Sequence, residues 1–293
     1  MSNPTEILRK GRSLNSAPSG ADAAAAVLTV DSPSRRRRAR AIAAGLARRA
    51  LVPLILIGLW QLLASLGEIN TTLTSSPAEV ASAFWKLLTN GELTSNLVIS
   101  LRRMLIGLAI GVPIGLALGI VSGLSRLGEE LVDSTMQALR VVPFVSLVPL
   151  FMLWFGIGES SKVALVAFGV AFPIYLNTYS GIRGVDAKLI EAARVFGLGR
   201  AGLIRRVIVP GALPSILVGL RYALGIAVIA LVVAETIDAN SGIGALVANA
   251  RQFLETDIVF VGIVVYSALG LIGDFLVRIL ERRLLTWRGS FEG

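Results

Sequence analysis

Apolar runs of about 20 residues recur along this chain, and about 20 helical residues are what ~30 Å of hydrocarbon requires. The first, "LVPLILIGLWQLLASLG", begins at Leu51, and the last closes near residue 280. Charged residues make up 16% of the chain and hydrophobic ones 54%, with a mean hydropathy of +0.75. A soluble domain carries about a quarter charged residues, and a soluble core of this size would lack the polar surface to cover it. The runs therefore call for an all-α, multi-pass membrane protein.

Six spans are expected, at about 51–67, 100–122, 138–156, 162–182, 214–237 and 258–280. Between the first two, "SSPAEVASAFWKLLTNGEL" reads as a short amphipathic helix outside the bilayer. Ser76 can cap it, Pro77 suits its first turn and Gly91 follows its end. Residues 1–34 are rich in Ser, Ala, Pro and Gly, a composition that predicts disorder. A basic tail thus runs to residue 49 and a membrane domain occupies 50–293. The first apolar run starts too late for a signal peptide, whose leader is about 15–30 residues.

Of the net charge of +9, residues 1–50 hold +7. "SPSRRRRAR" with Arg48 and Arg49 reads either as a cytoplasmic flank that orients the first span or as a patch for anionic lipid or nucleic acid. A nucleic-acid partner would rest on this tail alone and is not expected. With both termini in the cytoplasm, twenty-one Lys and Arg fall inside and three (Lys86, Lys162 and Arg251) outside. That asymmetry sets the expected topology. Arg102 and Arg103 fit it worst, because they open a span entered from outside.

No Cys and no His occur, which excludes disulfides, thiolate chemistry, imidazole bases and the usual zinc ligands. Gly107, Gly111, Gly115, Gly119 and Gly123 recur at every fourth position of the second span and line one helix face. Close packing of a neighbour is the static reading of that row, and a sliding contact the dynamic one. Pro143, Pro149 and Pro173 interrupt apolar stretches and predict kinks. Arg140, Asn177, Tyr179 and Glu235 are candidate residues of a translocation path, since polar groups near the bilayer are functional by default. Near an interface, the same side chains would simply be solvated.

One stretch breaks the apolar pattern: "EAARVFGLGRAGLIRRVIVPGALP", Glu191 to Pro214. Asp186 is a good cap for a helix in which Leu189, Ala192, Ala193 and Phe196 share helical spacing while Lys188, Glu191 and Arg194 face elsewhere. Gly197 and Gly199 allow a turn, a second short helix carries Arg200, Arg205 and Arg206, and Pro210 is expected to end it. The segment 183–213 thus reads as a helix–turn–helix on the cytoplasmic side, or as an ordinary basic surface loop.

The stretch resembles the cytoplasmic signature loop of ATP-binding-cassette (ABC) importer permeases through Glu191, Ala192, Ala193, Gly197, Leu213 and Pro214. Over roughly 50–290, "VPFVSLVPLFMLWFGIGESSK", "FPIYLNTYSGIR", "PGALPSILVGLRYALG" and "AETIDANSGIGALVANARQFLETD" are similar to permeases of aliphatic-sulfonate importers. Relatives of those handle taurine, nitrate, bicarbonate and pyrimidine precursors of thiamine. The resemblance implies a type I importer permease fold in a bacterial inner membrane, two permease copies around one path, two ATPase subunits beneath and a binding protein outside. The six matched residues would be the coupling element on which the ATPase docks. No cofactor is expected in this chain. It has no Gly-Lys dipeptide, hence no GxxxxGK[ST] phosphate loop, so ATP and magnesium would sit on the partner and the chain would not itself be an enzyme.

Two other classes compete. A secondary carrier would show inverted repeats and mid-membrane acids; no convincing repeat is present, and the acids sit near helix ends. An intramembrane enzyme lacks a nucleophile motif, "NSGIG" at 240–244 being a turn.

Overall fold

The computed structural model describes residues 51–68, 74–238 and 240–285, apart from the side chains of Arg140 and Asp238. The tail, residues 1–49, lies outside the described residues. The chain divides into two units, Met1–Leu59 and Trp60–Gly293. What is described of the first is the start of helix α1 (Leu51–Ser65), where Leu51, Val52, Leu54, Ile55 and Leu56 are all exposed. Its described length rises ~22 Å, short of a full crossing.

The second unit holds the rest, α2 to α10. Helix α2 (Pro77–Thr89) starts on a capping box: Ser76 Oγ accepts from the Glu79 amide, and Glu79 Oε2 accepts from the Ser76 amide at 2.7 Å. Helix α3 (Glu92–Leu124) begins well before the expected start at residue 100, so Arg102 and Arg103 lie inside it rather than at its mouth. The third span is broken. Helix α4 (Arg126–Leu139) and helix α5 (Phe144–Phe155) meet at a break around Pro143, which is extended at φ −60° and ψ 120°. The physical reason is that a residue preceding proline disfavours helical backbone, so the first half stops before Val142. Pro173 and Pro113, in contrast, stay within continuous helices.

Helices α6 (Glu159–Arg183) and α8 (Val209–Asp238) form the centre of the bundle, with helix α7 (Ala187–Val195) between them in sequence. Helix α9 (Ile243–Gln252) and helix α10 (Thr256–Leu284) complete it. Among the described residues, four helical stretches are long and apolar enough to cross a bilayer: α3, α6, the run Arg200–Ile237 that contains α8, and α10. The α4–α5 pair makes a fifth if it counts as one broken span. Reaching six requires α1 as well.

The glycine row positions these elements. A Cβ at Gly107 would fall 2.5 Å from Val166, at Gly119 2.6 Å from Thr178 and at Gly123 2.8 Å from Ile182; Gly111 and Gly115 rest on the carbonyls of Ala167 and Ala171. Both partners ascend together, so α3 and α6 run parallel, backbone against backbone, as small residues permit in lipid. Gly181 meets Ser215 and Gly219 meets Asn177, so α8 runs antiparallel to α6. Around this seam Val166, Val170, Ile174, Ala223, Ala227, Leu231, Ile243 and Val261 form the main core.

Candidate functional site

The interhelical segment after α6 is built as the sequence suggests and then departs from it. Asp186 Oδ1 accepts from the Lys188 amide at 2.9 Å and caps α7. At the other end Gly197 takes φ +79°, and the Leu198 amide donates to Ala193 O at 3.1 Å, a Schellman closure that favours glycine. Pro210 does not end the following helix. From Arg200 the chain stays helical into α8, because a π turn at Ile204–Ile208 takes up the mismatch: the Val209 amide bonds to Ile204 O, one residue further back than in an α-helix.

The two faces of α7 also differ from expectation. Ala193 is buried among Ile182, Leu203, Ile208 and Ala212, with Ile190 and Leu198 beside it. Leu189, Val195 and Phe196 instead point outward, the last two 86% and 83% exposed, and Glu191 and Ala192 are exposed with them. Leu213 and Pro214 lie half-buried in the first turns of α8. So four of the six matched residues sit on or beside α7, and two lie in the helix that follows.

Of the four path candidates, one lines a cavity. Asn177 stands at the wall of an apolar hollow of about 1260 Å³ between α3, α4, α5, α6 and α8, its Nδ2 donating to Pro173 O of its own helix at 2.9 Å. The wall includes Ile114, Phe144, Phe151, Phe172 and Tyr222 and contains no charged side chain among the described residues. Tyr179 lies outside that lining and donates to Glu129 Oε1 at 2.6 Å. Arg140 ends its helix, and its side chain lies outside the described residues.

Glu235 does not line that hollow. It is fully buried at the end of the bundle opposite α7 and is enclosed by donors. Arg103 Nη1 reaches its Oε1 at 2.7 Å, Ser100 Oγ both oxygens at 2.8 Å, the Gly244 amide its Oε2 at 2.9 Å and Tyr266 the same oxygen at 3.1 Å. Arg103, 2% exposed, turns its other edge on Glu159, with Nε to Oε2 at 2.8 Å, and on Ser241 O at 2.6 Å. One guanidinium therefore joins α3 to the start of α6, the end of α8 and the α8–α9 turn. Sequence reasoning missed this lock. The only signal for it was the misfit of Arg103 in an apolar run.

A second polar set lies at the α7 end. Tyr175, Tyr179 and Arg183 form one stripe of α6, and opposite them a π turn, Glu129–Asp133, interrupts α4. Tyr175 donates to Asp133 Oδ1 at 2.7 Å, and Arg183 pairs with the carboxylate of Glu129 that also takes the Tyr179 hydroxyl.

Residues 111–286 match the family model described as binding-protein-dependent transport system inner membrane component. The chain is 52% identical over 241 residues to a protein of Escherichia coli (strain K12) named as an aliphatic sulfonates transport permease protein, SsuC, covering 82% of this chain and 92% of that one. A protein of the same name from Bacillus subtilis (strain 168) is 44% identical over 243 residues, 83% and 88% of the two chains. A crystal structure of an amino acid ABC transporter superposes with a TM-score of 0.58 at 19% identity, over 68% of this chain and 98% of that one, a likeness of fold. The all-helical fold is that of a type I ABC importer permease, and the chain belongs to the family of inner membrane components of binding-protein-dependent transport systems.

Proposed function

We propose that this permease carries aliphatic sulfonates, driven by ATPase subunits that dock on α7, supplied by an extracytoplasmic binding protein at the opposite end, and working beside a second copy of itself. The observation that carries the reading is α7. A helix of a membrane subunit that presents Leu189, Val195 and Phe196 to solvent beside Glu191 has the makings of a protein interface: apolar anchors with a charged neighbour. The Lys/Arg asymmetry puts this end, and both termini, in the cytoplasm. Glu191, Ala192 and Gly197 are the contact and turn residues of the docking element; Leu213 and Pro214 link it to α8. ATP and magnesium belong to the partner, and nothing in the chain's role calls for a cofactor of its own.

The sulfonate assignment is supported by the relatives of that name, and the apolar hollow suits an alkyl tail. Uptake of a radiolabelled short alkanesulfonate by the transporter reconstituted with its ATPase and binding protein tests it. ATP-dependent uptake competed by unlabelled alkanesulfonate is expected. Competition by taurine or nitrate alone would reassign the substrate, and uptake without ATP would make the chain a secondary carrier.

A further inference from the structure

We propose that Glu129, held by Arg183 and Tyr179, together with the Asp133–Tyr175 pair, is the joint that passes movement of the ATPase-docking segment to the broken third span. The inference rests on the importer reading above. Arg183 is the last residue of α6, and the Asp186 cap of α7 follows after only Gly184 and Val185. Any displacement of α7 therefore reaches the Arg183 backbone within three residues. The Arg183 side chain grips Glu129, and Glu129 sits in the π turn of α4. At the far end of the same span, Met136 and Leu139 of α4 and Phe144, Phe151 and Phe155 of α5 line the hollow. The broken span thus has the ion pair near its start and the cavity wall on both of its halves.

The two contacts that α6 makes also differ in kind. Against α3 it rests on glycines and backbone carbonyls, a fit with no room to shift. Against α4 it holds by hydrogen bonds from two tyrosines and one arginine to two carboxylates, which separate without steric cost. Such charge-assisted bonds are strong while made, and they give way as a set. The carboxylates Glu129 and Asp133 sit in a π turn, an irregularity that recurs at functional sites in helices. Tyr175 and Tyr179 lie nearly parallel with ring centroids 6.1 Å apart and turn their hydroxyls to the same π turn. The α3–α6 pair accordingly moves as one body with Arg183, and α4–α5 is the part that shifts against it. These residues position the third span; none is assigned a contact with substrate.

The test uses the complete transporter in liposomes and reads ATP hydrolysed per sulfonate imported. Glu129→Gln and the nearly isosteric Tyr179→Phe are expected to raise that ratio about tenfold, as loss of a charged hydrogen bond would, at unchanged assembly with the ATPase. The Glu129→Arg/Arg183→Glu double variant is expected to return it to within about threefold of wild type, the cost of an imperfect pair. A ratio unchanged in Glu129→Gln and Tyr179→Phe would overturn the proposal, as would a double variant no better than Arg183→Glu alone. A wild-type transporter without ATP-driven uptake would overturn the importer reading, and this joint with it.

Discussion

Glu235 is surrounded by groups that can only give it hydrogen bonds: the Arg103 guanidinium and the Gly244 amide, with the hydroxyls of Ser100 and Tyr266 turned toward it. A glutamine there would aim an N–H₂ at donors and leave the buried guanidinium half paired. Breaking one partner of a buried ion pair costs about 3–5 kcal/mol. Glu235→Gln is therefore expected to lower the melting temperature of the detergent-purified protein markedly, and Arg103→Lys to do the same, because an ammonium cannot bridge two carboxylates as the planar fork does. An unchanged melting temperature for either would contradict the lock. The cluster was only half legible beforehand. A cation inside an apolar run announces that a partner exists, but Glu159 and Glu235 stand 56 and 132 positions away from Arg103, and nothing local says which acid it takes. For the same reason the donors gathered around Glu235 could not be read from its place near the end of a span.

At the scale of the elements, the helix contacts turn on where a side chain has no room. Gly115 rests on the Ala171 carbonyl and on Ile174, whereas Gly270 of α10 has open space around it. Gly115→Val is expected to force α3 and α6 apart and abolish recovery of folded protein, while Gly270→Ala is expected to be neutral or to stabilise by up to about 1 kcal/mol, the helix-propensity gain. Size-exclusion yield and thermal unfolding of the two variants side by side check this, and equal behaviour would contradict the seam. A row of five glycines at a strict spacing could be read as a close helix contact from sequence, because the period itself states the face. Its partner and the parallel direction could not, since they depend on α6 reaching the same register. Pro143 marked a kink in the third span from sequence, and the backbone limits on the residue before a proline make it a full break; what was not legible is that the first half reaches back to Arg126. Pro210 misled in the opposite direction, because a π turn accommodated a residue expected to stop the helix.

The second unit, Trp60–Gly293, has two unlike ends among its described residues. One is sealed by the Arg103 lock and the α8–α9 turn; the other carries α7, the π turns of α4 and of the segment before α8, and the Glu129–Arg183 joint. Rigidity at one end and severable contacts at the other suit a subunit whose movement originates in a docked partner. The local structure of α7 was the most legible part of the chain, because its residues are contiguous and its cap and turn chemistry are local. Which of its faces looks outward was not, since helical spacing groups Leu189, Ala192, Ala193 and Phe196 while burial divides them. The central claim is that α7 is the seat of the ATPase. The measurement that bears on it most directly is co-purification of the solubilised chain with its co-expressed ATPase, wild type against Glu191→Lys and Phe196→Ser, both exposed and so harmless to the fold. The account predicts a stable wild-type complex and loss of the ATPase from both variants at equal permease yield. Full retention of the ATPase by both would contradict it.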